Sequence, residues 1–120
     1  MAKKNDTTTT PAAEKAQTVS LNSDIRITFV ARENSPERLV CEAELVFGAG
    51  LLAGMKLVGF SLWKSPEGEL YVTFPSRAFG AGSERRFFDF LRSVEGEVAP
   101  ARAVKQAIVG AYRQQAAAAA

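Results

Sequence analysis

Leu57-Val58-Gly59-Phe60-Ser61-Leu62-Trp63-Lys64-Ser65-Pro66-Glu67-Gly68-Glu69-Leu70-Tyr71-Val72-Thr73-Phe74-Pro75 reads as two strands and the turn that joins them. Apolar side chains recur at every second position, the period with which a strand presents one face. Val58, Phe60 and Leu62 share a parity in the first run; Leu70, Val72 and Phe74 share one in the second, against Tyr71 and Thr73. Between them Ser65-Pro66-Glu67-Gly68 reverses the chain, proline presetting φ and glycine supplying φ > 0. Met55 and Leu57 have the opposite parity to Phe60, and the switch falls beside Gly59. An extra residue there predicts a β-bulge or a sharp bend. Pro75 has no N–H to give a ladder and ends the second strand.

Upstream, Ile25, Ile27 and Phe29 alternate with Arg26 and Thr28, and Cys41, Ala43, Leu45 and Phe47 alternate with Glu42 and Glu44. Glu33-Asn34-Ser35-Pro36 supplies turn chemistry between these two runs. Gly48-Ala49-Gly50 reverses the chain before a long third run, Leu51 to Trp63. Downstream, a loop from Arg77 to Ser83 precedes Arg85 to Arg92, which reads as the fifth strand. Phe88 and Phe90 lie on one side of it, Phe87 and Leu91 on the other, although its length and aromatic content also admit a helix. The period then changes: Val104, Ala107, Ile108, Ala111 and Tyr112 form one helix face, with Pro100 in the first turn. The expected fold is α+β, a small antiparallel sheet of about five strands followed by a C-terminal amphipathic helix.

The 120 residues, 47% hydrophobic and 23% charged, suit one soluble domain. Residues 1–22, with Thr7 to Thr10 and no aromatic side chain, read as a disordered tail. Residues 23–115 form the expected folded domain, and 116–120 an alanine-rich tail that either prolongs the helix or frays. No apolar stretch approaches the ~20 residues of a membrane span, and Lys3-Lys4 lead into polar residues rather than a signal sequence. The expected compartment is the cytoplasm, where a lone thiol is at home.

The chain has no histidine and a single cysteine, Cys41. Cys/His zinc sites, Ser–His and Cys–His catalytic pairs and internal disulfides are thereby excluded. Gly48-Ala49-Gly50 and Gly54 lack the spacing of a dinucleotide loop, and no Lys-Ser/Thr pair follows them. Glu42 and Glu44, two residues apart, share one strand face instead of converging in a cleft, and read as solvated acids. Cys41, among alternating apolar positions and without a base, reads as a small core residue. We expect no catalytic residue, metal, cofactor or small-molecule substrate, and no enzyme.

Net charge is only +2, but it is unevenly placed. Six acids face three bases between Glu33 and Glu69, whereas from Leu70 onward seven bases face four acids. The later half can therefore orient an anionic partner. Its candidate contacts are Arg77, Arg85, Arg86, Arg102, Lys105 and Arg113, acting chiefly on phosphates. Trp63 and Tyr71 are aromatic enough to stack on bases, or to pack at the strand ends beside the hairpin turn.

Leu70-Tyr71-Val72-Thr73-Phe74-Pro75-Ser76-Arg77 resembles the G-L-F-V-A-M-P-S-[KR] strand and corner of the SpoVG family, bacterial proteins named for stage V sporulation and septation. Phe87-Phe88-Asp89-Phe90 is similar to that family's next strand, and Ile108 to Tyr112 to the end of its terminal helix. The likeness runs from about Asp24 to Gln114, nearly the whole body. It departs at Phe60-Ser61-Leu62, where the family commonly has Asp-Ile-Arg, and at Ala78, where a basic residue often follows the corner. The resemblance implies a SpoVG-like homodimer joined through strand pairing, a regulator that binds DNA or RNA. An exposed sheet edge makes such pairing physically reasonable on its own account. The alternative is a protein-interaction module that recruits its partner through Phe87 to Leu91 and the sheet edge.

Overall fold

The computed structural model of the protein describes residues 15–119. Five strands run in chain order across one antiparallel sheet: β1 (Lys15–Ser20), β2 (Ile25–Ala31), β3 (Leu39–Phe47), β4 (Lys56–Lys64) and β5 (Leu70–Thr73). Two further strands, β6 (Ser76–Phe79) and β7 (Arg86–Asp89), pair with each other and with no other strand among the described residues. The chain then forms one long helix, α1 (Val98–Ala119). The fold is α+β, a sheet covered on one face by its C-terminal helix. Among the described residues no helix is long and apolar enough to cross a membrane.

The core lies between α1 and one sheet face. Ile27, Phe29, Cys41, Ala43, Leu45, Phe60, Leu62, Val72 and Phe74 are buried there against Ile108 and Ala111 of the helix. Ring contacts tie the layers: Phe29 meets Tyr112 edge to face at 5.5 Å, and Phe60 meets Phe74 at 5.3 Å. The helix face read from the sequence is the buried one, with Val104 and Tyr112 packed at its margins.

The expected bulge sits at Val58–Gly59. Ala43 stands opposite Phe60 and Leu45 opposite Leu57, so β4 uses one residue more than β3 between those pairs. The extra residue lets Leu57 and Phe60, of opposite parity, enter the same core. A compensating irregularity at Val40 adds a residue to β3 between Leu39 and Cys41. The Ser65–Gly68 turn also forms as read: the Gly68 amide donates to the Ser65 carbonyl at 2.9 Å, and Gly68 has φ of 88°.

Three boundaries differ from the sequence reading. Residues 15–20 of the segment read as a disordered tail form β1, and residues 1–14 of it lie outside the described residues. As an edge strand β1 contributes little to the core, chiefly Val19, and therefore lacks a run of apolar positions. Its turn is nevertheless specified locally: the Asn22 side-chain oxygen accepts from the amides of Asp24 at 2.7 Å and Ile25 at 2.8 Å. The long third run begins at Lys56; Leu51 to Gly54 form turns, and Leu51 is 99% exposed. The segment Arg85 to Arg92 is not the fifth strand of the sheet. Its centre is β7, which pairs with β6 in the stretch read as a loop, because Pro75 breaks the ladder after β5 and redirects the chain. Of the two alternatives for the alanine run, the structure shows the first: α1 continues through it as far as Ala119.

Candidate functional site

The β6–β7 ribbon is short, and every residue of β7 is exposed. Its register pairs Arg77 with Phe88 and Phe79 with Arg86. Because side chains alternate across a strand, these four share one face in a two-by-two pattern of guanidinium and ring. The Arg77 guanidinium carbon lies 5.0 Å from the centre of the Phe79 ring. Phe79 in turn meets Phe88 edge to face at 5.2 Å. The reverse face carries Ala78, Phe87 and Asp89, with Arg85 stacked 5.2 Å from the Phe87 ring. A 3-10 turn, Gly82–Glu84, closes the loop.

At the ribbon's base the Phe90 amide donates to the Pro75 carbonyl at 2.8 Å. The chain beyond β7 then runs under the start of α1, where Leu91, Arg92, Pro100, Ala101, Val104 and Phe74 line a small apolar cleft. Lys105 reaches from α1 to the Phe74 ring, its Nζ 5.3 Å from the centre. The ribbon base and the first half of α1 are therefore neighbours. Arg102, Lys105 and Arg113 occupy about an 80° sector of the helix. Lys105 and Arg113 also line a shallow groove along Leu70, Tyr71 and Val72 of β5. The outer edge of β5 pairs with no other strand among the described residues.

All six basic residues singled out in the sequence are exposed. No carboxylate among the described residues pairs with any of them. The acids of the middle strands behave differently. On the sheet face away from α1, Glu42 accepts from Arg32 at 2.7 Å and Glu44 from Lys56 at 3.0 Å. Each acid is held by a different cation, Glu42 by Arg32 just beyond β2 and Glu44 by Lys56 on β4.

Trp63 and Tyr71 stand opposite each other in the β4–β5 register. They lie on the face away from the core, since Leu62 and Val72 point into it. Trp63 donates its Nε1 proton to Thr73 Oγ1 at 2.8 Å, which holds the indole across the strands. The two aromatics thus belong to the β4–β5 pair and not to the ribbon. The sequence points to Phe88 only as part of the Phe87 to Leu91 protein-interaction segment and does not mark Phe79 or Arg92 as site residues. The signal for Phe79 and Phe88 was present, because Arg77/Phe79 and Arg86/Phe88 repeat a cation and a ring two residues apart, on either side of Gly80 and Gly82.

The thiol of Cys41 is buried, and its pKa is pushed up to about 11 by loss of solvent and then by the charge of Glu42. It packs in the core as a neutral group. Tyr112 is raised in the same direction, by burial and then by Cys41. Among the described residues no group of three or more acids or cysteines is placed to hold a metal ion. No protein-family model matches the chain, and searches of curated proteins and of solved structures likewise found no match.

Proposed function

We propose that this chain is a nucleic-acid-binding regulatory protein of the SpoVG type, acting in the cytoplasm as a homodimer. The observation that carries the reading is the set of exposed cations on β6–β7 and α1 that no carboxylate among the described residues neutralises. Cations left unpaired on adjoining elements are free to displace the counterions of a phosphate backbone, which gives salt-sensitive and weakly selective affinity. The Pro75-Ser76-Arg77 corner, on which the SpoVG resemblance chiefly rests, opens directly into the ribbon. The unpaired edge of β5 offers main-chain groups for strand pairing with a second copy.

The test is equilibrium binding to DNA and RNA oligonucleotides at about 50 mM salt. We expect measurable affinity that weakens in an Arg85→Ala/Arg86→Ala variant; absence of binding, or an unchanged affinity in the variant, overturns the reading. The exposed ribbon aromatics favour a second reading, a protein-interaction module. A partner captured from lysate and retained after nuclease digestion supports that module, and one released by nuclease supports the first reading.

A further inference from the structure

The phenylalanines of β6–β7 present a physical problem that phosphate contacts do not explain. Phe79, Phe87 and Phe88 are 45%, 66% and 46% exposed, in a ribbon that pairs with no other strand among the described residues, and Phe90 just beyond it is 62% exposed. A solvated cationic arm that met only phosphates would need no rings. Large exposed apolar groups gathered on one element mark a contact surface.

Charge decides between the occupants. From Ser76 to Arg92 the chain carries Arg77, Arg85, Arg86 and Arg92 against Glu84 and Asp89. Two copies packed ribbon to ribbon would bring these like charges together as they buried the rings, at an electrostatic cost. An anionic partner with flat apolar faces satisfies both components at once. On the Arg77–Phe79–Arg86–Phe88 face the match is closest, because Asp89, the one acid in β6 or β7, lies on the opposite face. Aromatic platforms interleaved with guanidinium groups bind unstacked bases, and they tolerate any sequence because every base has a π face. In a duplex both faces of an internal base are covered by its neighbours, so such a platform selects single strands.

We infer that the ribbon binds single-stranded nucleic acid, with bases stacked on Phe79 and Phe88 and the adjoining phosphates on Arg77 and Arg86. This rests on the nucleic-acid reading above and narrows it to a strand state and a binding mode. It also places stacking on residues other than Trp63 and Tyr71.

Fluorescence anisotropy with an oligo-dT, an oligo-rU of equal length and a duplex of matched length tests the inference. We expect both single strands to bind at least about tenfold more tightly than the duplex. A Phe79→Ala/Phe88→Ala variant should lose at least about tenfold in single-strand affinity, and Phe79→Tyr/Phe88→Tyr should restore it. The slope of affinity against salt should stay unchanged in both variants, since the phosphate contacts remain. Equal affinity for duplex and single strand, or an alanine variant that binds like the parent, overturns the inference and leaves the nucleic-acid reading standing. No binding to any of the three oligonucleotides overturns both. Light scattering on the alanine variant provides a third check: loss of self-association would show that the rings face a second copy, which overturns the inference. Photo-crosslinking of the unaltered chain to an oligonucleotide carrying 5-iodouracil guards against a variant that fails to fold. Adducts on Phe79 or Phe88 support the inference, and adducts confined to Trp63 or Tyr71 overturn it.

Discussion

At Gly59 the backbone takes φ of 107°, and a Cβ built there would lie 2.7 Å from the Cβ of Pro75. The bulge that aligns Leu57 and Phe60 with the core thus depends on a residue without a side chain. Gly59→Ala should cost about 2–4 kcal/mol, from backbone strain and from contact with a ring that has little room to move. Gly68 provides the comparison: its φ is 88°, but no atom lies within 4 Å of the added carbon. Gly68→Ala should cost only the strain, about 1 kcal/mol. Urea midpoints measured on both variants should differ in that order, at unchanged m value. Cys41 supports a second prediction. Its folded pKa is raised from its ordinary 9.0 to about 11, so between those values the unfolded chain releases a proton that the native state retains. Stability should be insensitive to this group below about pH 9 and should fall as the pH rises towards about 11. Tyr112 shifts in the same direction and adds to the alkaline loss. In Cys41→Ala, denaturant melts across that range should show a shallower decline; an equally steep one would mean that the thiol takes no part.

Element by element, legibility followed periodicity. The strands that contribute several side chains to the core show a two-residue repeat, and α1 shows its apolar stripe, because burial of one face imposes the pattern. The bulge was legible too, since a parity switch beside a glycine has few other causes. β1 was not, because Val19 is its main contribution to the core, while Ala16, Gln17, Thr18 and Ser20 are exposed and Thr18 meets only Thr28. The ribbon was half legible: the segment around Phe87 reads as a strand, but its partner Ser76–Phe79 reads as a loop. Nothing in a four-residue strand with no fully buried side chain imposes a repeat. The unpaired cations could be suspected from the charge asymmetry, whereas the grouping of Arg77, Phe79, Arg86 and Phe88 on one face required the register. That β1 is a structural strand leads to a prediction at this scale. A chain starting at Ser23, the boundary suggested by composition, loses β1 and uncovers the outer edge of β2. It should melt at lower temperature and aggregate more readily than one starting at Glu14, which keeps the strand. Matching melting curves for the two would show that β1 contributes nothing to the fold.

Over the whole molecule a net charge of +2 is too small to hold a polyanion, so binding must come from where the charges lie. The sheet face away from α1 ties its acids into pairs with Arg32 and Lys56, whereas the ribbon and α1 leave their cations open. A comparison at constant net charge separates the local field from the global one. Lys56→Ala and Arg86→Ala each remove one positive charge. If the total governs, both should weaken binding alike. If the arrangement governs, Arg86→Ala should flatten the dependence of log affinity on log salt by about 0.7 for a single strand, one phosphate contact's worth, while Lys56→Ala leaves it unchanged. Arg85→Ala/Arg86→Ala should then flatten it by about 1.4, since the counterion release that accompanies each contact is lost with it. Isothermal titrations at several salt concentrations measure these slopes directly. Equal slopes for the Lys56 and Arg86 variants would locate the attraction in the overall charge and leave the ribbon without a part in it.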